Sequence, residues 1–406
     1  MATATNRDVV ITGIGLVTSL GEGRDAHWDT LRAPGRHAVV DETGFAPWPV
    51  HPLPALDLDR QIPKRGDQRQ MEPWQRLNTY AAGLALDDAG ARDLVADMHL
   101  MVAAGGGERD LPLDEQVTAA LAEADGAEAA GNGARLNEML ATGLRPTLFL
   151  AQLSNLVAGN ISIVHGVTGS SRTFMGEESA AADALRIARA RIAEGRGEIA
   201  LVGGGFVGSR WDMLVLFRGG DGLWEGPFQP LSGRGEGGMV LGGMSAYLVL
   251  EAAEHARARG ARVLARLDAV ATDATHRTAP GESATAAEAL LARVGGPAPA
   301  VISGTPGTPS AWAEEERFLQ TLGGAAIRRS GSLLGHGVEA SFPVNVALAA
   351  LALSRGGFYP AMDPADAGEA AAPDRILVTG FGQWRGEALA SISRPDTARP
   401  DTESPA

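Results

Sequence analysis

The chain has 406 residues, 45% of them hydrophobic and 21% charged, an ordinary globular composition long enough for two domains or two fused half-domains. A formal charge of −14 argues against a nucleic-acid partner, and the absence of cysteine excludes disulfides and thiolate-bound metals. The eight histidines show no metal-ligand spacing, apolar stretches such as Val344–Leu353 fall well short of the roughly 20 residues a membrane span needs, and Met1–Arg7 lacks the apolar core of a signal peptide, so a cytoplasmic protein is expected.

In chain order, His37–Gln70 is rich in proline and charge, which predicts a long surface excursion. Asp110–Glu138 carries helical segments, and Met139–Gly159 combines Pro146 with an apolar run, Thr147–Val157. Gly159–Gly169 supplies apolar residues broken by glycines. Thr173-Phe-Met-Gly-Glu-Glu-Ser then puts Glu177 and Glu178 where a strand gives way to a helix. Ala180–Ala193, rich in alanine with few large side chains, predicts a buried, tightly packed helix. Gly195–Gly205 reads as a turn, a fully buried strand and a glycine exit.

Val263–Ala271 opens a second half, and Thr272–Ser283 is polar and loop-like. Arg375–Gly382 repeats the pattern of Glu198–Gly205, a buried strand running into glycines. Each is followed by a segment able to form an edge or hairpin, Gly238–Glu251 and Glu387–Ile392. Strands alternating with helices predict an α/β fold with parallel pairing and helices on both faces. The prolines, threonines and acids of residues 394–406 predict a disordered tail.

Five segments in order, Val9–Gly21, Thr173–Ile187, Gly238–Glu251 with Glu254–Ala261, Ser332–His336 and Thr379–Gly382, resemble the β-ketoacyl-ACP synthases. The resemblance implies the thiolase fold, five-layered αβαβα from two similar halves, here 1–259 with insertions and 260–393. In that family a cysteine at the helix N-terminus is acylated, and two histidines assist decarboxylation of the malonyl extender and stabilise the carbanion. This chain has Glu178 at the cysteine position, Ser303-Gly-Thr305 for the first histidine's motif, and His336 for the second. Gly331 replaces the family's lysine and Gly243 its usual acidic residue. Thr379, Gly380, Phe381 and Gly382 match the gate loop, although Gln383-Trp384 replaces small residues.

A carboxylate at a helix N-terminus is stabilised by the free N–H groups there and stays ionised. It could form only a mixed anhydride with an acyl group, less stable than the thioester it came from. Thiolate is the nucleophile for transacylation, and serine at 303 cannot polarise an enolate oxygen as imidazole does. Glu178 is therefore either a charge on a helix end or a group holding the place of an acyl chain or anchoring an interface. His336 is either kept by packing or retains a polar role, Ser303 is a turn residue before Gly304, and Phe381 is either a core aromatic or a channel gate.

The resemblance also implies pairing through the strand entering that helix, Arg172, Thr173, Phe174, Met175 and Gly176. A degenerate synthase that keeps this strand is similar to the chain-length-factor subunits, non-catalytic partners of an active ketosynthase in fatty acid, polyketide or polyene synthesis. Such a subunit closes part of the acyl pocket and needs no cofactor or metal, the phosphopantetheine arm of an acyl carrier protein being the substrate carrier. The carrier is acidic and so is this chain, which predicts docking on the catalytic partner; a local basic patch would have to come from Arg172, Arg186, Arg189, Arg191 and Arg196. Two alternatives stay open: an enzyme of altered chemistry such as a malonyl-ACP decarboxylase, and a homodimeric scaffold that binds acyl carrier protein.

Overall fold

The computed structural model describes residues 7–395 apart from 108, 123–130, 146–147 and 221. The expected tail beyond 395, and Pro146 and Thr147 of the apolar run, lie outside the described residues.

The architecture rests on two sets of five strands. The first comprises β1 (Val9–Thr18), β2 (His99–Ala103), β3 (Ser171–Phe174), β4 (Ile199–Phe206) and β5 (Met244–Ala252). The second comprises β6 (Ala265–His276), β7 (Ala300–Ser303), β8 (Ala326–Arg329), β9 (Arg375–Phe381) and β10 (Arg385–Ser393). Their spatial orders are β3-β2-β4-β5-β1 and β8-β7-β9-β10-β6. In each set the last strand is antiparallel to both neighbours, and the other pairings are parallel. Among the described residues the two sets pair only where Val10 and Ile11 meet Arg266 and Ala265.

Helices α1 (Pro73–Ala89) and α2 (Leu156–His165) cover the outer face of the first set. Helices α3 (Ser179–Ala193) and α6 (Ser341–Ser354) lie between the two sets, and α4 (Glu282–Arg293) and α5 (Pro309–Gln320) cover the second. The result is five layers, helix–sheet–helix–sheet–helix. Between the two sheets α6 buries every residue from Phe342 to Leu353, while α3 uses alanine for close approach on its inner side and leaves Asp183 and Arg186 partly exposed on the other. On the outer face α1 lies so close to β1 that a Cβ on Gly15 would sit 1.9 Å from the Ala81 carbonyl oxygen.

Helix α1 is absent from the expected elements. Its buried face includes Gln75, Asn78 and Thr79, which interrupt the apolar stripe that would have announced it. Asn78 is satisfied by donating to the Gly205 carbonyl at 3.1 Å and accepting from the Tyr247 hydroxyl at 2.9 Å. Two further expectations need correction. Thr272–His276 is not a loop but the continuation of β6, held by pairing with β10. The excursion 37–70 is not wholly superficial: Val50 and His51 are fully buried and pair with Leu241–Gly242. Among the described residues no helix is long and apolar enough to cross a membrane.

Candidate active site: a carboxylate in a closed anion cradle

Strand β3 is the edge of the first sheet, paired on one side by β2, and its Ser171 and Arg172 are exposed. The chain leaves β3 through Gly176 (φ 134°) and Glu177 (φ 58°), a left-handed turn that a non-glycine residue adopts only under strain. That turn delivers Glu178 to the N-cap of α3, with the residue 7% exposed. The Gln383 N–H donates to Glu178 Oε1 at 2.9 Å, and His336 Nε2 lies 3.2 Å from the same oxygen. Burial opposes ionisation, but the imidazole and the backbone N–H groups outweigh it, holding the carboxyl below its ordinary value. Gly382 permits this approach: a Cβ there would lie 3.1 Å from Glu178 Oε2 and 2.0 Å from the Arg385 carbonyl oxygen.

His336 follows a short helical turn, Gly331–Leu334, and Gly335, whose φ of 73° swings the backbone back towards the first sheet. The His336 N–H donates to the Val240 carbonyl at 2.8 Å, fixing the residue's backbone beside Leu241–Gly242. On the far side of the ring, Nδ1 lies 3.3 Å from Ser341 Oγ, which itself accepts the Gly337 N–H at 2.8 Å. The network is satisfied by imidazole protonated at Nε2, donating to Glu178 and accepting from Ser341. Although Ser341, His336 and Glu178 form a hydroxyl–imidazole–carboxylate row, a nucleophile needs room for a substrate carbonyl. The two cavities lined by His336 and Ser341 each hold about 10 Å³, the space of a single water.

The structure thus brings Glu178, His336, Thr379 and Gly380 around one closed cavity. Ser303 is not there, and it is not a turn residue. It ends β7, fully buried, and donates to Glu315 Oε2 at 2.7 Å. Thr379 donates to the other oxygen of Glu315, whose carboxyl is pushed up by burial. Phe381 is a core aromatic and not a gate: it is fully buried against Phe318, ring centroids 6.0 Å apart, on the α5 side of the sheet. Of the five arginines, Arg186 and Arg196 are paired with Asp183 and Glu194, Arg189 donates to the Leu267 carbonyl, Arg191 reaches Ser170 Oγ at 3.4 Å, and Arg172 is exposed.

A second cavity of about 430 Å³ opens beside this site, walled by Trp74, Met175, Arg210, Phe217, Glu339 and Trp384 among others. Glu339 is buried on the turn Val338–Ala340, accepts the Gly105 N–H at 2.9 Å, and has its carboxyl pushed up to about 7 by burial and by the neighbouring Glu178 charge. Arg210 is neutralised by Asp212 at 2.6 Å. The mouth is apolar, with Met175, Leu216 and Trp384 exposed. The sequence signal for Glu339 was a carboxylate three residues beyond His336; the Gln383 donor, a backbone group, had none.

Two like halves of five strands around a central helix pair define a thiolase-fold protein. A family model for the β-ketoacyl synthase N-terminal domain matches residues 6–256. The chain belongs to the β-ketoacyl synthase family. It is 28% identical to 3-oxoacyl-[acyl-carrier-protein] synthase 2 of Vibrio harveyi over 291 residues, 68% of this chain and 66% of that relative, so just under two thirds of the relative's length is spanned. A solved structure described as the ishigamide ketosynthase/chain length factor superposes with a TM-score of 0.78 at 20% identity, covering 96% of this chain and 100% of the other. A type II polyketide synthase acyl-carrier protein in complex with its ketosynthase bound to the hexaketide gives 0.74 at 18% identity, again over 96% and 100%. At such identities these two likenesses speak for the fold alone.

Proposed function

We infer that this chain is the non-catalytic, chain-length-factor-like partner of an active β-ketoacyl-ACP synthase, and that it completes the synthase's interface and acyl pocket. One observation carries the reading. At the position where the family is acylated, a buried carboxylate occupies the N–H and imidazole donors that would otherwise polarise an acyl carbonyl. About 10 Å³ of free space remains beside it, too little for a thioester. The pairing face is the free edge of β3 with the exposed Met175, Leu216 and Trp384, an apolar patch of the kind that marks protein contacts. Such a subunit requires no cofactor of its own, the acyl carrier protein and its phosphopantetheine arm engaging the catalytic partner.

Co-expression with a cysteine-bearing β-ketoacyl-ACP synthase of the same organism tests this. The expected result is a 1:1 complex that elongates an acyl primer with malonyl-ACP and releases carbon dioxide, whereas the chain alone yields neither elongation product nor carbon dioxide. Elongation by the purified chain alone would overturn the reading, and carbon dioxide release alone would favour a decarboxylase.

A further inference from the structure

A separate cavity of about 340 Å³ opens towards the other end of α3 from Glu178, among the strand ends of the second sheet. Arg189 on its wall lies eleven residues beyond Glu178, roughly 16 Å along the helix, so the two sites do not touch. Sheet register builds the rest of the wall: Arg266 and Arg375 each pair with Ser393, which lines both up in one row across β6, β10 and β9. Val294 and Gly295, just past the end of α4, close the other side.

The charges on this wall do not cancel. Asp268 is engaged, with Arg266 Nε at 2.6 Å, Ser393 Oγ at 2.8 Å and Ser391 Oγ at 3.2 Å. Asp8 is exposed and lies 4.0 Å from Arg266. Arg375 donates to the carbonyl oxygens of Gly295, Gly296 and Pro297, and Arg189 donates through Nε to the Leu267 carbonyl at 2.9 Å. Neither of these two guanidiniums forms an ion pair among the described residues, and a carbonyl satisfies an N–H without neutralising the charge. Arg189 is also half-buried, and the loss of water pulls its pKa below the ordinary value, a cost that an arriving anion offsets. Two uncompensated cations against one exposed carboxylate leave this cleft positive on a chain of charge −14. Guanidinium forks match the oxygens of phosphate and carboxylate groups, and the volume exceeds what a single chloride fills.

We propose that Arg189 and Arg375 form a binding site for a small organic oxyanion, a phosphate ester or a polycarboxylate, at the end of the molecule remote from Glu178. The site stands independently of the paired-subunit reading, since its wall includes neither β3 nor the cavity at Met175.

The test titrates the full chain with inorganic pyrophosphate and, separately, with citrate, by isothermal calorimetry at an ionic strength held constant with sodium chloride. The expected result is saturable binding at one site with a Kd below about 1 mM. Binding of either anion supports the proposal, and the tighter of the two identifies the acid group of the ligand. Arg189→Gln and Arg375→Gln are each expected to weaken binding about tenfold or more, the yield of one hydrogen bond to a charged group. Asp8→Asn removes the opposing carboxylate from an exposed position and is expected to tighten binding severalfold, so it carries the test should an arginine variant fail to fold. Arg196→Gln, off this wall and paired with Glu194, is expected to change nothing. No saturable heat with either anion, an undiminished affinity in Arg189→Gln, weaker binding in Asp8→Asn, or an equal loss in Arg196→Gln would each overturn the proposal. None of these outcomes bears on pairing, which co-purification reads without any anion bound.

Discussion

Replacing Glu339 by glutamine is expected to stabilise the fold by an amount that grows with pH and then levels off. Burial raises this carboxyl from 4.5 to about 7. A carboxyl raised on folding binds more protons in the folded state than in the unfolded one, so folding pays no penalty below about pH 4.5. The penalty accumulates as pH rises and is complete above about 7. The gap is roughly two and a half pH units, which at about 1.4 kcal/mol each sets an upper limit of roughly 3.5 kcal/mol. Glutamine keeps the carbonyl oxygen that accepts the Gly105 N–H and carries no charge to desolvate. Urea titrations of both proteins at intervals from pH 4.5 to 8 measure the difference directly. Histidines that titrate in this window are common to both chains and cancel to first order. The difference should widen to a few kcal/mol by pH 7 and stay constant above it. Curves that remain parallel across the window would refute the reasoning and place Glu339 in contact with water.

Glu178→Ala leaves the Gln383 N–H and the His336 imidazole without their shared acceptor and is expected to cost about 2–4 kcal/mol by urea titration, Glu178→Gln distinctly less. Glu178→Cys should accept alkylating agents yet give no elongation product with malonyl-ACP, because Ser303 supplies no imidazole; product formation would contradict the proposed division of roles. Ser341 should resist a fluorophosphonate, since the cavity beside it admits a single water; labelling at that residue would turn the Ser341–His336–Glu178 row into a catalytic one. Gly15→Ala drives a methyl group against the Ala81 carbonyl and should lower stability by about 3 kcal/mol or more, or abolish soluble expression. A neutral effect there would mean that α1 and β1 are farther apart than described.

The order of glycine-terminated apolar segments was enough to give this protein its architecture. Ile199–Phe206 and Arg375–Phe381 read as buried strands because residues covered on both faces are apolar throughout, and the repeat of that pattern announced two like halves. The departures from the family's motifs were equally legible, since an absent cysteine and a serine for histidine are facts of composition at fixed spacing. What escaped the sequence was whatever depends on groups distant along the chain. Helix α1 was hidden because Asn78 is buried by virtue of Gly205 and Tyr247, more than a hundred residues away. Phe381 could be gate or core until the sheet fixed which face it points from, and Ser303 looked like a turn until β7 placed its hydroxyl on Glu315. The fate of Glu178 belongs to the same class. Sequence named the anion, but only the fold brought a backbone N–H from position 383 and an imidazole from 336 to one oxygen, because hydrogen bonds act over 3 Å and chain order says nothing about distance at that scale.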